Sequence, residues 1–351
     1  MSRIADLDKN FARPEEKGGL IWADAHALPC EITGLHPGTF CRVDPALLPQ
    51  LPAPVQELAH HTAGGMVRFH AQAGRYGYRY TLRSGEDMSH MPRTGSAGLD
   101  VYLGSGQGMR FLRSTRPECR AMAASGEFTL AQEEEVTLYL PLYNGVRRLE
   151  LGFEPGRMLT APAQRRFSKP IVFYGSSITQ GGCASRPGNT NAAMLCRCFD
   201  CPQHNLGFSG NGKGEIGIAR YIASLPMTAL VMDYDHNAPS AAHLERTHLP
   251  FVQAILASQP DLPVLIATRP DFSNGDPADN AARREAVRRS YETLKAQGAS
   301  CAFIDGETLF DGPFSDNCTV DGCHPNDLGF YRMAMKMLPP LRRLILGEET
   351  A

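Results

Sequence analysis

No stretch of the chain approaches the roughly 20 consecutive apolar residues that a membrane-crossing helix needs, so a helical membrane span is excluded. Residues 1–19, MSRIADLDKNFARPEEKGG, carry charge throughout and lack the apolar centre of a secretion signal. A cytoplasmic location is therefore expected. An excess of charge of one sign is also missing. The 35 Lys and Arg against 37 Asp and Glu leave a net charge of −2, too little to direct a field at nucleic acid or an anionic membrane. Neither is expected as a partner.

What is present describes a globular protein that can bury a core, with 42% hydrophobic and 21% charged residues. At 351 residues the chain is long for one domain, and two are expected. Ten cysteines raise disulfides or metal. Without an export signal, reduced thiols are the better reading. Cys196, Cys198, Cys201 and His204 form a C-x-C-x2-C-x2-H cluster, tighter than common zinc knuckles and without a second ligand pair. It reads as a helix end rich in small thiol residues. No metal and no cofactor are expected.

The first half of the chain is β-like. MVRFHAQ (66–72), YGYRYTLR (76–83), LDVYLG (99–104), EVTLYLPLY (135–143) and RRLELGF (147–153) alternate or cluster β-branched and aromatic residues between Gly, Ser and Asn turns. The absence of long helical patterns between them predicts an antiparallel sandwich over residues 1–160. Residues 161–170 read as a crossover. From 165 to 351 the period changes. Short apolar runs, IVFYG (171–175), ALVMDYD (229–235), PVLIATR (263–269) and CAFID (301–305), alternate with helical stretches near 189–199, 214–224, 241–258, 279–297 and 326–345. Strands alternating with helices predict a parallel sheet covered on both faces.

In such sheets the functional groups gather beyond the carboxyl ends of the strands. There stand Ser176 and Ser177 after the first run, Ser209 and Gly210 after HNLGF, and His236 and Asn237 after ALVMDYD. Asp321 and His324 stand in the late loop DGCHPND. A serine hydroxyl needs a base, which histidine supplies near neutral pH. Histidine needs an acceptor for its other ring nitrogen, and Asp321 lies three residues before it. A developing oxyanion needs fixed donors, and a glycine N–H and an asparagine amide can serve.

This ordered set resembles the SGNH (GDSL-type) hydrolase superfamily of esterases, over about residues 165–345. The resemblance implies a three-layer α/β/α, flavodoxin-like domain. GSSIT (175–179) is similar to the family's Gly-Asp-Ser-Ile/Leu-Thr block, with Ser176 where aspartate usually stands and Ser177 at the nucleophile position. Gly210 in GFSGNG matches the second block. Asn237 matches the third, although DYDHNA departs from the usual Gly-x-Asn-Asp. Asp321 and His324 match the fourth in full. The implied roles are Ser177, His324 and Asp321 as catalytic triad, and the Ser177 N–H, the Gly210 N–H and the Asn237 side chain as oxyanion hole. His236 is a candidate substrate contact. GSAGLDVYLG (95–104) resembles the Gly-x-Asp-Leu-Tyr signature of a β domain that precedes one subgroup, through Gly98, Asp100 and Tyr102, with valine in place of leucine. ASRPGNT (184–190) and NLGFSGNGKGE (205–215) look like the same subgroup. That subgroup is similar in architecture to carbohydrate deacetylases with a jelly-roll domain ahead of the hydrolase domain. The implied activity is removal of acetyl groups from carbohydrate. The implied partner is a small-molecule or oligosaccharide ester, and homo-oligomer formation is left open.

Competing readings stand beside this one. Gly212, Gly214 and Gly217 form a literal G-x-G-x-x-G with Asp233 downstream, and Gly207 through Lys213 nearly form a P-loop. The preceding strand is poor, however, and Gly214 stands where magnesium would need Ser or Thr. Asn237 and Gly210 could be plain turn residues. Asp100 and Tyr102 read as structural, tying the β domain together. A lipid or thioester hydrolase, and a carbohydrate-binding protein with an inactive hydrolase domain, are the alternative functions.

Overall fold

A computed structural model describes residues 4–8, 18–270 and 275–347. The first half forms two antiparallel sheets. One has the order β1–β9–β4–β7, built from β1 (Ile21–Asp24), β9 (Val146–Phe153), β4 (Gly74–Leu82) and β7 (Ala123–Leu130). The other has the order β10–β3–β8–β5–β6, with β2 (Glu31–Thr33) also on β3. Its strands are β10 (Leu159–Thr160), β3 (Met66–Ala71), β8 (Glu134–Tyr139), β5 (Asp100–Leu103) and β6 (Arg110–Ser114). On β4 the side chains alternate as a strand requires: Tyr76, Tyr78, Tyr80 and Leu82 are buried, while Arg79 and Thr81 face out. The tyrosines meet Val67, Phe69, Val101 and Leu138 of the facing sheet in one core. Gly126 on β7 has no room for a side chain, because a Cβ there would come 2.4 Å from the Tyr78 hydroxyl.

The second half carries five parallel strands in the order β12–β11–β13–β14–β15. They are β11 (Ile171–Gly175), β12 (Gln203–Gly207), β13 (Ala229–Asp233), β14 (Val264–Ala267) and β15 (Cys301–Ile304). This 2-1-3-4-5 order is that of flavodoxin-like sheets. Strands β11, β13, β14 and β15 are mainly apolar because both faces of the sheet are covered, whereas edge strand β12 carries the buried polar residues Gln203, His204 and Asn205. Val172 and Tyr174 join a core with the helices Ile216–Ser224, Ala241–Leu256 and Pro277–Ala296. Ile171 and Phe173 point the other way, into a core with the helices Asn191–Phe199 and Asp327–Leu346.

The two halves share buried contacts. Edge strand β12 is covered by the sandwich half: the fully buried Arg42 guanidinium donates to the carbonyls of Asn205 (2.9 Å) and Gly207 (2.7 Å). The Arg42 carbonyl in turn accepts from His204 Nε2 at 2.7 Å. On the other side, Asp100 on β5 accepts the Gly188 N–H at 2.8 Å and an Arg186 guanidinium N–H at 3.2 Å. The expectation for Asp100 and Tyr102 is thus corrected in one respect. They tie the sandwich to the hydrolase half, and Tyr102 packs with Met66, Tyr139 and Ala193 across the junction. A carboxylate so deeply buried can be held only by such partners.

Candidate active site

Three β-strand ends and one late loop build the site. Strand β11 stops at Gly175, where a Cβ would lie 1.8 Å from the carboxylate of Asp233, so only glycine fits. The next residue, Ser176, is an N-cap. Its Oγ accepts from Ile178 N–H at 3.1 Å and its own N–H donates to Thr179 Oγ1 at 3.1 Å, a reciprocal capping box. Ser176 is therefore used up by the backbone. Ser177, the first residue of the short helix Ser177–Gln180, is instead turned toward the late loop.

That loop closes through a bridge between Thr319 and Pro325, with Val320 N–H donating to the His324 carbonyl at 2.9 Å. The closure brings Asp321 and His324 together. Asp321 Oδ2 lies 2.8 Å from His324 Nδ1, and His324 Nε2 lies 2.9 Å from Ser177 Oγ. Asp321 Oδ1 also accepts the backbone N–H groups of His324 (2.7 Å) and Cys323 (3.0 Å). Partial burial raises the Asp321 pKa, but these hydrogen bonds and the imidazole outweigh it and bring it down to about 2. The group is a fixed anion over the working pH range. Its contact with Nδ1 leaves Nε2 as the lone-pair nitrogen facing the serine.

The remaining candidates are tied to the same turn. Gly210 sits at φ +66 with open space where a side chain would be. Its neighbour Ser209 donates its N–H to the Gln180 side-chain oxygen at 3.1 Å. Asn237 donates its side-chain amide to the Phe208 carbonyl at 3.0 Å, which fixes it on the Ser209–Gly210 loop. His236 is half-buried, with Nε2 3.3 Å from Cys323 Sγ, immediately beside His324.

Several side chains in this neighbourhood carry no signal in the sequence. Gln180 is fully buried and also donates to the Leu142 carbonyl (3.1 Å) and His61 Nδ1 (3.0 Å) of the sandwich half. Burial, reinforced by Arg42 and Arg83, pushes the His61 pKa down to about 3, so its ring is neutral and can accept. Tyr143 donates its hydroxyl to the Ser177 carbonyl at 3.0 Å. Asp233 is buried under the turn and accepts the Thr179 hydroxyl. Only the fold brings residues 61, 143 and 233 to residue 177.

The glycine-rich stretch has a packing explanation. A Cβ on Gly212 would meet the Gly175 carbonyl at 2.2 Å, and one on Gly214 the Tyr234 hydroxyl at 2.6 Å. In the cysteine cluster, the Cys196 thiol donates to the Pro202 carbonyl at 3.6 Å, and the His204 ring is engaged by Arg42. A cavity of about 700 Å³ between the halves, lined by residues such as Leu35, Pro170, Pro202 and Tyr221, opens at the opposite, amino-terminal ends of β11 and β12. It is remote from this constellation. No helix among the described residues is long and apolar enough to cross a membrane.

The comparisons agree with this architecture. Residues 168–342 match the GDSL-like lipase/acylhydrolase family, and residues 20–159 match GxDLY, the N-terminal domain of SGNH-hydrolase-type esterases. No curated protein matches the chain. Among solved structures, a protein from Bacteroides ovatus taken to be a GDSL-like lipase is 28% identical with a TM-score of 0.83, over 95% of this chain and 100% of its own. The salicylyl-acyltransferase SsfX3 from a tetracycline biosynthetic pathway is 19% identical with a TM-score of 0.77, over 93% and 97%. A family two carbohydrate esterase from Cellvibrio japonicus is 14% identical with a TM-score of 0.59, over 93% and 98%. A parallel sheet with the Ser-His-Asp contact at its carboxyl edge and the GxDLY domain joined through Asp100 together carry the conclusion: the chain belongs to the GDSL-like lipase/acylhydrolase family and is an ester hydrolase.

Proposed function

We propose that the protein is a serine esterase that removes O-acetyl groups from oligosaccharides through an acyl-enzyme. The observation that carries the reading is the unbroken chain Ser177 Oγ–His324 Nε2 (2.9 Å) and His324 Nδ1–Asp321 Oδ2 (2.8 Å). His324 takes the Ser177 proton as Oγ attacks the ester carbonyl, and Asp321 stabilises the imidazolium. The carbonyl oxygen becomes an anion, held by the N–H groups of Ser177 and Gly210 and the Asn237 amide. His324 returns the proton to the leaving sugar hydroxyl. Water, activated by the same base, then releases acetate. Two anchors serve this reading, Asn237 on Phe208 and Ser209 on Gln180, and neither must reorganise as charge develops.

The carbohydrate substrate is supported by the likeness in fold to family two carbohydrate esterases. The ten cysteines, all free thiols, suit a cytoplasmic enzyme acting on imported acetylated oligosaccharides rather than intact polymer. A p-nitrophenyl ester series tests the acyl preference: acetate should be hydrolysed best, and a rise in kcat/KM toward long chains would favour a lipid or thioester hydrolase. Mass spectrometry of acetylated oligosaccharides should show losses of single acetyl groups. Inactivity on all of them would favour the binding-protein alternative. A second reading, acyl transfer to an acceptor other than water, is favoured by the higher TM-score to the salicylyl-acyltransferase. Adding alcohol acceptors to the assay separates the two, since a transferase would divert acyl-enzyme to a new ester.

A further inference from the structure

Two side chains outside the proposed triad converge on His324. His90 lies on the connection between β4 and β5 and is exposed. Its ring stands edge-on to that of His324, with centroids 5.7 Å apart. Cys183 follows Gly181 and Gly182, is buried, and sits at φ +75. That left-handed conformation is strained for a residue with a side chain, and such residues cluster at functional sites. One ligand atom each from His90, Cys183 and His324 lie within 4.8 Å of one another, the one such group of metal-capable side chains found among the described residues.

We propose that His90, Cys183 and His324 form a thiolate–bis-imidazole site for a soft divalent cation, zinc above all, and that its occupation switches the hydrolase off. Two imidazoles and a thiolate are a zinc donor set, leaving a fourth position for water. The outer contact is already present. A metal-bound histidine typically donates its other ring N–H to a carboxylate, and His324 Nδ1 faces Asp321 Oδ2 at 2.8 Å. The Nε2 lone pair can hold a proton from Ser177 or a metal ion, not both. Binding releases the Cys183 thiol proton to water, breaks the Ser177 Oγ–His324 Nε2 hydrogen bond, replaces water ligands of the ion with three protein ligands, and needs no oxidant. Zinc bonds of about 2.0–2.3 Å place tetrahedral ligand atoms about 3.3–3.7 Å apart. Separations of up to 4.8 Å must therefore contract by about 1 Å or somewhat more, and His90 can supply its share from its exposed loop.

The switching half of this proposal rests on His324 being the base; the binding half does not. The test uses Co²⁺ as a spectroscopic probe and Zn²⁺ as an inhibitor of aryl acetate hydrolysis, on the wild type, His90→Ala and Cys183→Ser. The wild type should be inhibited by micromolar Zn²⁺, reversed by EDTA, and should show a thiolate-to-cobalt charge-transfer band. Cys183→Ser should lose the band. Both variants should need about tenfold more zinc or higher, while hydrolysing in zinc-free buffer close to the wild-type rate. Equal inhibition of all three proteins, or no band and no inhibition at millimolar metal, overturns the site. A cobalt–thiolate band with undiminished hydrolysis removes His324 from the ligand set and overturns the switch.

Discussion

Replacing Asp233 with asparagine should make the protein more resistant to unfolding, and increasingly so as pH rises. Asp233 ends β13 with its carboxyl buried beneath the nucleophile turn. Burial, opposed by the Thr179 hydroxyl and reinforced by the charge of Asp235, pushes its pKa from 3.8 up to about 8. Below about pH 4 the carboxyl is protonated in both the folded and the unfolded chain. Between about 4 and 8 the unfolded chain gives up the proton and the folded one keeps it. Stability therefore falls by up to about 1.4 kcal/mol per pH unit, on the order of 5 kcal/mol across the window. Asparagine has nearly the same shape, and its oxygen can still accept from Thr179, but it does not titrate. Urea unfolding at pH 5, 6, 7 and 8 should show the gap between Asp233→Asn and wild type widening in the variant's favour. A gap that stays constant would mean that Asp233 is ionised in the folded protein, and the reasoning would fail.

Ser177→Ala should lower kcat by about 10⁴-fold or more, as loss of a triad member does. Ser176→Ala should instead cost about 1 kcal/mol of stability through the lost cap, with a small effect on turnover. Asn237→Ala should lower kcat about 10²–10³-fold with KM nearly unchanged, because the ground-state carbonyl is not yet charged; a kcat within threefold of wild type would place the hole elsewhere. Dialysis against EDTA should leave hydrolysis undiminished, whereas loss restored by zinc would overturn the serine mechanism. Asp321, held at about 2 in the folded protein, contributes stability above about pH 4 that disappears as pH falls toward 2. Acid-unfolding curves of Asp321→Asn should be correspondingly flatter there than those of wild type.

Much of the fold was legible because its signals are local. Residues 171–175 form β11 as their apolar run predicts, and helix Ala241–Leu256 lies where the helical period placed it. Strand β7, AASGEFTL, was not anticipated. Its alanines, serine and glycine carry little strand propensity, and it exists because Gly126 lets the Tyr78 ring pack against it. The edges β1, β2 and β10 were also missed, being four residues or fewer and defined by their pairing partners.

The sequence alone determined the chemical inventory: a serine after the first parallel strand, an Asp-x-x-His in the last loop, and a glycine and an asparagine after the strands between. These could be read because strand period and turn chemistry act over a few residues. The GSSIT block already singled out Ser177, and the local cap on Ser176 agrees with it, but tertiary structure alone brought Ser177 to the histidine 147 positions away. It also decided that Gln180, His61, Tyr143 and Asp233 would surround that turn, and that His90 and Cys183 would stand beside His324. Those contacts join residues up to 234 positions apart, from 90 to 324. Nothing in the local pattern of either partner encodes them, because they arise only when both halves close their cores against β12 and β5.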